Sequence, residues 1–161
     1  MIKVAFVRGA YLNNFEGQNY CFDKKTINIV GISSLRPLHV DLPFPIMRLP
    51  SIGDYLGSNK AVKIIANRTF GDAKVLFGLS KIASQFDLFH TADPHYYYSY
   101  QLAQLRKQNK IKKLLVTSWE TIPHNNEIVK AKKRIKHYVL NHADHFLCYT
   151  ERAKNCLVQE G

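Results

Sequence analysis

Cysteine is scarce: Cys21, Cys148 and Cys156 are the three thiols in 161 residues. The set is odd and scattered, and no pair has the close spacing of a metal clip or a redox motif. That excludes a disulfide framework and fits a reducing compartment. No apolar run reaches the roughly 18 residues that a membrane-crossing helix needs. The run Ile2–Val7 is too short for the apolar core of a secretory leader. A cytoplasmic location is the expectation, and the Asn67-Arg68-Thr69 sequon is then incidental. Neither the dinucleotide-binding G-x-G-x-x-G nor the phosphate-loop G-K-[ST] occurs, and there is no internal repeat or low-complexity segment. Acidic residues are also few, 12 against 23 Lys and Arg, leaving a formal charge of +11. Such an excess favours anionic partners: nucleic acid, acidic lipid surfaces or phosphorylated substrates.

What is present suffices for one domain with a sizeable core, since 46% of residues are apolar and 12% aromatic. Ile2–Val7 reads as a first strand and the β-branched run Thr26–Ile32 as a second. Between them Arg8–Gly17 is a polar loop whose Gly9 and Gly17 either let the backbone approach a phosphate or serve as ordinary turn glycines. Pro37, Pro43, Pro45 and Pro50 make residues 36–59 irregular, with room for a short edge strand. Lys60–Ala66 fits strand or helix. Val75, Leu79, Ile82 and Phe86 recur at helical spacing, predicting a helix over Gly71–Gln85.

The stretch Phe86–Asn125 organises the rest. Phe86–His90 is a buried-strand run, and Asp93-Pro94 predicts a helix start with Asp93 as N-cap. Tyr98, Leu102 and Leu105 give the helix one apolar face, and Leu114–Thr117 is the next strand. His145–Tyr149 is a sixth strand, followed by a helix over Glu151–Gln159 capped by Thr150 and Gly161. Strands alternating with helices imply a parallel sheet with helices on both faces. In such sheets ligands collect beyond the carboxyl ends of the strands. His90, Asp93 and His95 stand at one such end, and Trp119, Glu120 and His124 at the other.

Glu120 is the candidate to orient or polarise a hydroxyl, against the alternative that it caps a turn. Trp119 offers a ring to stack on a sugar, against packing. His90 and His95 offer ligand contacts, against a structural hydrogen bond. His142, His145 and Cys148 straddle a helix end and a strand without a fourth ligand at suitable spacing, so no metal is expected. Ile128, Ala131, Ile135, Val139 and His142 fall on one side of a helical wheel. Lys130, Lys132, Lys133, Arg134 and Lys136 cover the other. That is either a membrane or polyanion surface or the solvated outer face of a helical layer.

The order KVAFV, FDLFHTADPHYYYSYQLAQLRK, KLLVTSWETIPHN and VLNHADHFLCYTERAKNCLVQEG, spread over nearly the whole chain, resembles the N-terminal domain of family-4 glycosyltransferases of the GT-B fold. The resemblance implies a Rossmann-like doubly wound domain, one half of a two-domain enzyme. Such an enzyme moves a sugar from a nucleotide-sugar donor to a sugar or lipid-linked acceptor, in a cleft between the halves. Residues 1–161 would be the acceptor-side domain, with the nucleotide-sugar domain absent and the chain alone inactive. The family's glycine loop maps onto Arg8–Gly17 without its paired glycines, and its His-Asp after the fifth strand is replaced by Trp119-Glu120. His90, Asp93, His95, Trp119 and His124 would contact the acceptor and Glu120 would be catalytic. No cofactor or metal is implied. A peripheral place on the inner membrane face would use the basic helix.

Two other classes fit parts of the pattern. A nucleic-acid-binding module accounts for the charge, but no RNP-like, zinc-finger or clear helix-turn-helix motif occurs. A flavodoxin-like regulatory domain accounts for size and fold, yet it calls for an acidic or phosphate-binding cluster after the first strand, where this chain has Arg8.

Overall fold

The computed structural model describes residues 1–55, 64 and 74–161. β1 (Ile2–Gly9) opens the chain, and its last six residues are all buried. A continuous apolar run is what a strand covered on both faces requires. β2 (Ile27–Ser33), β3 (Ile46–Arg48), β4 (Leu88–Ala92), β5 (Leu114–Ser118) and β6 (His145–Cys148) complete a six-stranded sheet. Its order is β3-β2-β1-β4-β5-β6, and every neighbouring pair is parallel. This is an α/β, Rossmann-like fold. The strand order reverses at β1, so the switch-point crevice lies between the carboxyl ends of β1 and β4.

Side chains alternate across the sheet. Ala5 and Val7 enter one apolar core with Phe89, Leu102, Leu114 and Val139. Val4 and Phe6 enter the other with Leu12, Ile29 and Phe44. Helices among the described residues include α1 (Asn14–Gly17), α2 (Ile52–Tyr55), α3 (Leu79–Ile82), α4 (Tyr97–Lys107), α5 (Lys130–His142) and α6 (Glu151–Glu160). On α4 the predicted face, Tyr98, Leu102 and Leu105, is buried. Thr150 Oγ1 accepts from Ala153 N at 3.1 Å to cap α6, and Gly161 beyond its end has φ 97°. Arg106 on α4 grips Asp144 through Nε and Nη2 at 2.7 and 2.9 Å, and Leu114 N donates to the same carboxylate at 2.8 Å. One carboxylate thereby ties α4, β5 and the approach to β6.

Two local expectations are corrected. Asp93 is not the N-cap of α4: it lies in the left-handed region (φ 47°), Tyr96 occupies the N-cap, and the helix starts at Tyr97. The Asp93 carboxylate instead accepts from Trp119 N at 3.3 Å, a competing donor on the neighbouring strand end. The helix expected from Gly71 is also shorter in its described part. Leu76 makes an antiparallel bridge with Ser51, Gly78 turns the chain at φ 95°, and α3 begins only at Leu79. The remainder of Lys60–Ala66 around Ile64, the sequon and residues 71–73 lie outside the described residues.

Candidate functional site

At the carboxyl end of β4 the chain leaves the sheet through Asp93, Pro94 and His95, all buried. At the end of β5 it leaves through Ser118, Trp119 and Glu120. The two exits are adjacent because β4 and β5 are paired, with Ala92 opposite Thr117. There His95 Nδ1 stands 3.3 Å from Glu120 Oε1. Asn126 Nδ2 donates to the same oxygen at 2.7 Å, and Lys136 Nζ lies 2.6 Å from Oε2. The cluster thus joins Asp93, His95, Trp119 and Glu120, four of the residues singled out from sequence. It also recruits Asn126 and Lys136.

Lys136 departs from expectation. The helical wheel puts it on the cationic outer face, yet it is wholly buried, its ammonium 2.6 Å from Glu160 Oε1 as well as from Glu120 Oε2. Lys130, Lys133 and Arg134 are exposed and Lys132 is half-buried, so the outer face exists without Lys136. The sequence held a usable signal. Ala153, Cys156, Leu157 and Glu160 fall three and four apart, placing Glu160 on the buried stripe of α6, where a cation must meet it.

Electrostatics sort the acids. Burial works to raise the Glu120 carboxyl, but the hydrogen bonds from His95, Lys136 and Asn126 outweigh it and hold the pKa at about 2. Glu120 is therefore an ionised acceptor at neutral pH, with 7% of its surface exposed rather than open to a cleft. Asp93 moves the other way: burial raises its carboxyl and neighbouring Glu120 adds to this, against the pull of His95 and Trp119 N–H. Two adjacent carboxyls pushed apart in this way are suited to different roles, one fixed charge and one proton carrier. For Lys136, burial disfavours the charge, and Glu120 and Glu160 more than restore it.

The remaining candidates fall elsewhere. His90 is 3% exposed and lies between β1 and β5, its Nε2 2.7 Å from Thr117 Oγ1 and its ring against Phe6 and Tyr20. It is a core residue under the site, not a surface that an acceptor meets. His124 is exposed on the outer side of the loop at φ 58°, its Nδ1 3.4 Å from Glu127 Oε1. Trp119 keeps 43% of its surface exposed, its ring 5.6 Å from that of Tyr149. Gly9 ends β1 at φ 55°, and a Cβ there would lie 3.3 Å from the Tyr98 ring. At Gly17 a Cβ would meet Leu42 Cδ2 at 2.6 Å, so its missing side chain makes room for the core and not for a phosphate. Arg8 also proves internal. Its Nε donates to Glu16 Oε1 at 2.7 Å and its Nη1 to the carbonyls of Val7 and His90.

Among the described residues, one group of three offers metal-ligating atoms close together. Those of His124, Glu127 and Glu160 lie within 4.8 Å of one another. Lys136 Nζ, however, stands 2.6 Å from Glu160 and 3.8 Å from Glu127, so an ammonium already supplies the cation there. His142 Nδ1 lies 2.8 Å from the carbonyl of Tyr138.

No protein-family model and no curated protein matches the chain. Among solved structures, it is similar to a protein from Listeria monocytogenes provisionally assigned as a UDP-N-acetylglucosamine 2-epimerase. The match has a TM-score of 0.62 at 14% identity and covers 99% of this chain and 42% of that one. The likeness is one of fold, and the chain spans less than half the length of that neighbour.

Proposed function

We propose that this chain is the acceptor-side Rossmann-like half of a GT-B nucleotide-sugar enzyme of the family-4 glycosyltransferase type. Joined to a donor-binding half, it would move a sugar from a nucleotide sugar to a sugar or lipid-linked acceptor. The observation that carries this reading is the placement of the Asp93–His95–Glu120 cluster. It sits at the carboxyl ends of β4 and β5, beside the crevice where open parallel sheets hold their ligands. A fold match over 99% of this chain to 42% of a nucleotide-sugar enzyme's chain supports the half-enzyme reading.

In this reading Glu120 acts through its charge, orienting His95. One of the two side chains beside it, His95 or Asp93, each 7% exposed at the edge of the crevice, would take the acceptor hydroxyl's proton as that oxygen bonds to the sugar. Trp119 lends its exposed ring to an apolar sugar face. The β1 turn at Gly9 lies toward the donor. No described helix is long and apolar enough to cross a membrane. The exposed basic residues of α5 would instead hold the enzyme peripherally on the anionic inner face, near a lipid-linked acceptor.

The test is an assay with a panel of nucleotide sugars. A two-domain protein containing this chain should transfer sugar. The 161-residue chain alone should fold, bind no nucleotide sugar tightly by calorimetry and transfer none. Turnover by the isolated chain would sink the half-enzyme reading. The fold neighbour favours one other outcome: a nucleotide sugar isomerised in the absence of any acceptor would assign an epimerase and not a transferase.

A further inference from the structure

We infer that Lys136 is a positioning residue: its buried ammonium braces the loop 118–127 against α6 and thereby fixes the His95–Glu120 pair. The loop has no helix or strand of its own beyond Ser118. Two of its residues, His124 and Asn126, hold left-handed backbone at φ 58° and 63°, uncommon outside glycine although Asn and His adopt it more readily than most residues. The groups that hold the loop converge on one point. Lys136 Nζ reaches Glu120 Oε2 at 2.6 Å near the start of the loop and the carbonyl of Asn125 at 3.4 Å near its end. It also reaches Glu160 Oε1 on α6 at 2.6 Å, and that oxygen accepts from His124 N at 2.6 Å. Both ends of the loop therefore hang on a single buried ammonium.

The charges show what each partner does. One ammonium lies 2.6 Å from each of two buried carboxylates, Glu120 and Glu160, and 3.8 Å from a third, Glu127, so it cannot neutralise them all. Without Lys136, Glu120 loses one of the groups that hold it ionised, keeping His95 and Asn126, and the acceptor that His95 faces is no longer braced. Without Glu160, the whole ammonium turns to Glu120, and the pair at His95 is kept while the tie to α6 is lost. The brace is a matter of geometry, and its bearing on turnover rests on the acceptor-side reading above.

The test compares wild type with Lys136→Met and with Lys136→Met/Glu160→Gln. The single variant leaves two buried carboxylates without a cation and is at risk of not folding. The double variant removes the surplus carboxylate together with the ammonium. The Glu120 carboxyl is followed by NMR against pH, and amide exchange is followed along the chain. The Glu120 midpoint should climb from about 2 towards ordinary carboxylate values. Amides of 118–127 should exchange at least about tenfold faster while those of β1 and β4 keep their protection. An unmoved midpoint with unmoved loop exchange overturns the proposal. So does equal acceleration in β1 and β4, which would make Lys136 a general core residue. In a two-domain protein the double variant should lose kcat with the donor KM unchanged, and an unchanged kcat overturns the positioning role. If the wild type transfers no sugar, the acceptor-side reading fails while the NMR and exchange results still decide the brace.

Discussion

His90 Nε2 and Thr117 Oγ1 lie 2.7 Å apart, a polar link between the two strands whose ends carry the candidate site. The imidazole is 3% exposed and Arg8 is beside it. Burial first, and the Arg8 charge second, push its pKa from 6.5 down to about 3. The link is therefore made by a neutral ring, and that has a consequence for stability.

Between pH 6.5 and about 3 the unfolded chain binds a proton at this histidine that the folded chain refuses. Stability must rise with pH through that window, by up to about 1.4 kcal/mol per pH unit, and level off above it. Urea unfolding near neutral pH and near about pH 5 should show the loss on acidification. His90→Gln, which keeps a polar group near Thr117 but cannot titrate, should flatten the slope. An equal slope in both proteins would mean that the ring is protonated in the fold. Glu120 contributes separately and lower, its stabilisation being lost only as pH falls from about 4.5 towards about 2.

Gly9→Ala should destabilise the fold without changing it. The residue is at φ 55°, where an added Cβ costs about 1–2 kcal/mol. That Cβ would also press on the Tyr98 ring at 3.3 Å, and Tyr98 is fully buried and has little room to yield. At Gly17 the helical backbone suits Ala, and the clash is with the flexible end of Leu42. The urea midpoint should therefore fall more for Gly9→Ala than for Gly17→Ala. The reverse order would show that the turn after β1 rearranges at little cost.

Much of the fold is legible because strands in a parallel sheet are short continuous apolar runs, and Ile2–Val7, Thr26–Ile32 and Leu114–Thr117 all appear as such. The strand ends announce Asp93, His95, Trp119 and Glu120 for the same reason. What the sequence conceals is partnership at a distance. Asp93-Pro94 carries a helix-start signal, but Trp119 N, 26 residues on, takes the carboxylate. Lys136 has the composition of an outer helical face around it, and the carboxylates that meet it inside, Glu120 and Glu160, lie 16 and 24 residues away. His90 reads as a site residue because it ends an apolar run, yet Thr91 and Ala92 still follow it in the strand.

Glu120→Gln tests the site in a two-domain protein. The substitution keeps the shape and removes the charge that Lys136 and His95 both face. If that charge orients a proton-transferring His95, turnover should fall about 10²–10⁴-fold, the usual scale for losing acid–base assistance. The melting temperature should fall as well, because Lys136 loses one of its two carboxylates at 2.6 Å. Activity is therefore compared well below the transition. Near-normal turnover with a lowered melting temperature would leave Glu120 a structural cap and put Asp93 and His95 next in line for substitution.

The basic face of α5 makes the last prediction. Lys130, Lys133 and Arg134 are exposed, Lys132 is half-buried, and Ile128, just ahead of the helix, is 98% exposed. Lys133 already leans on Glu127 at 3.3 Å, which spends part of its charge. At roughly 1 kcal/mol per basic residue near an anionic surface, this set gives weak, reversible binding. The chain should sediment with vesicles rich in phosphatidylserine and release as salt rises past physiological strength, since exposed charges are screened within about 8 Å there. Lys130→Glu/Arg134→Glu should abolish the binding with the fold intact. Lys136→Met should impair folding before it touches vesicle binding, because that side chain never reaches the surface. Equal binding to neutral and anionic vesicles would rule out the electrostatic surface. Tighter, steeply salt-dependent binding to nucleic acid would reassign it.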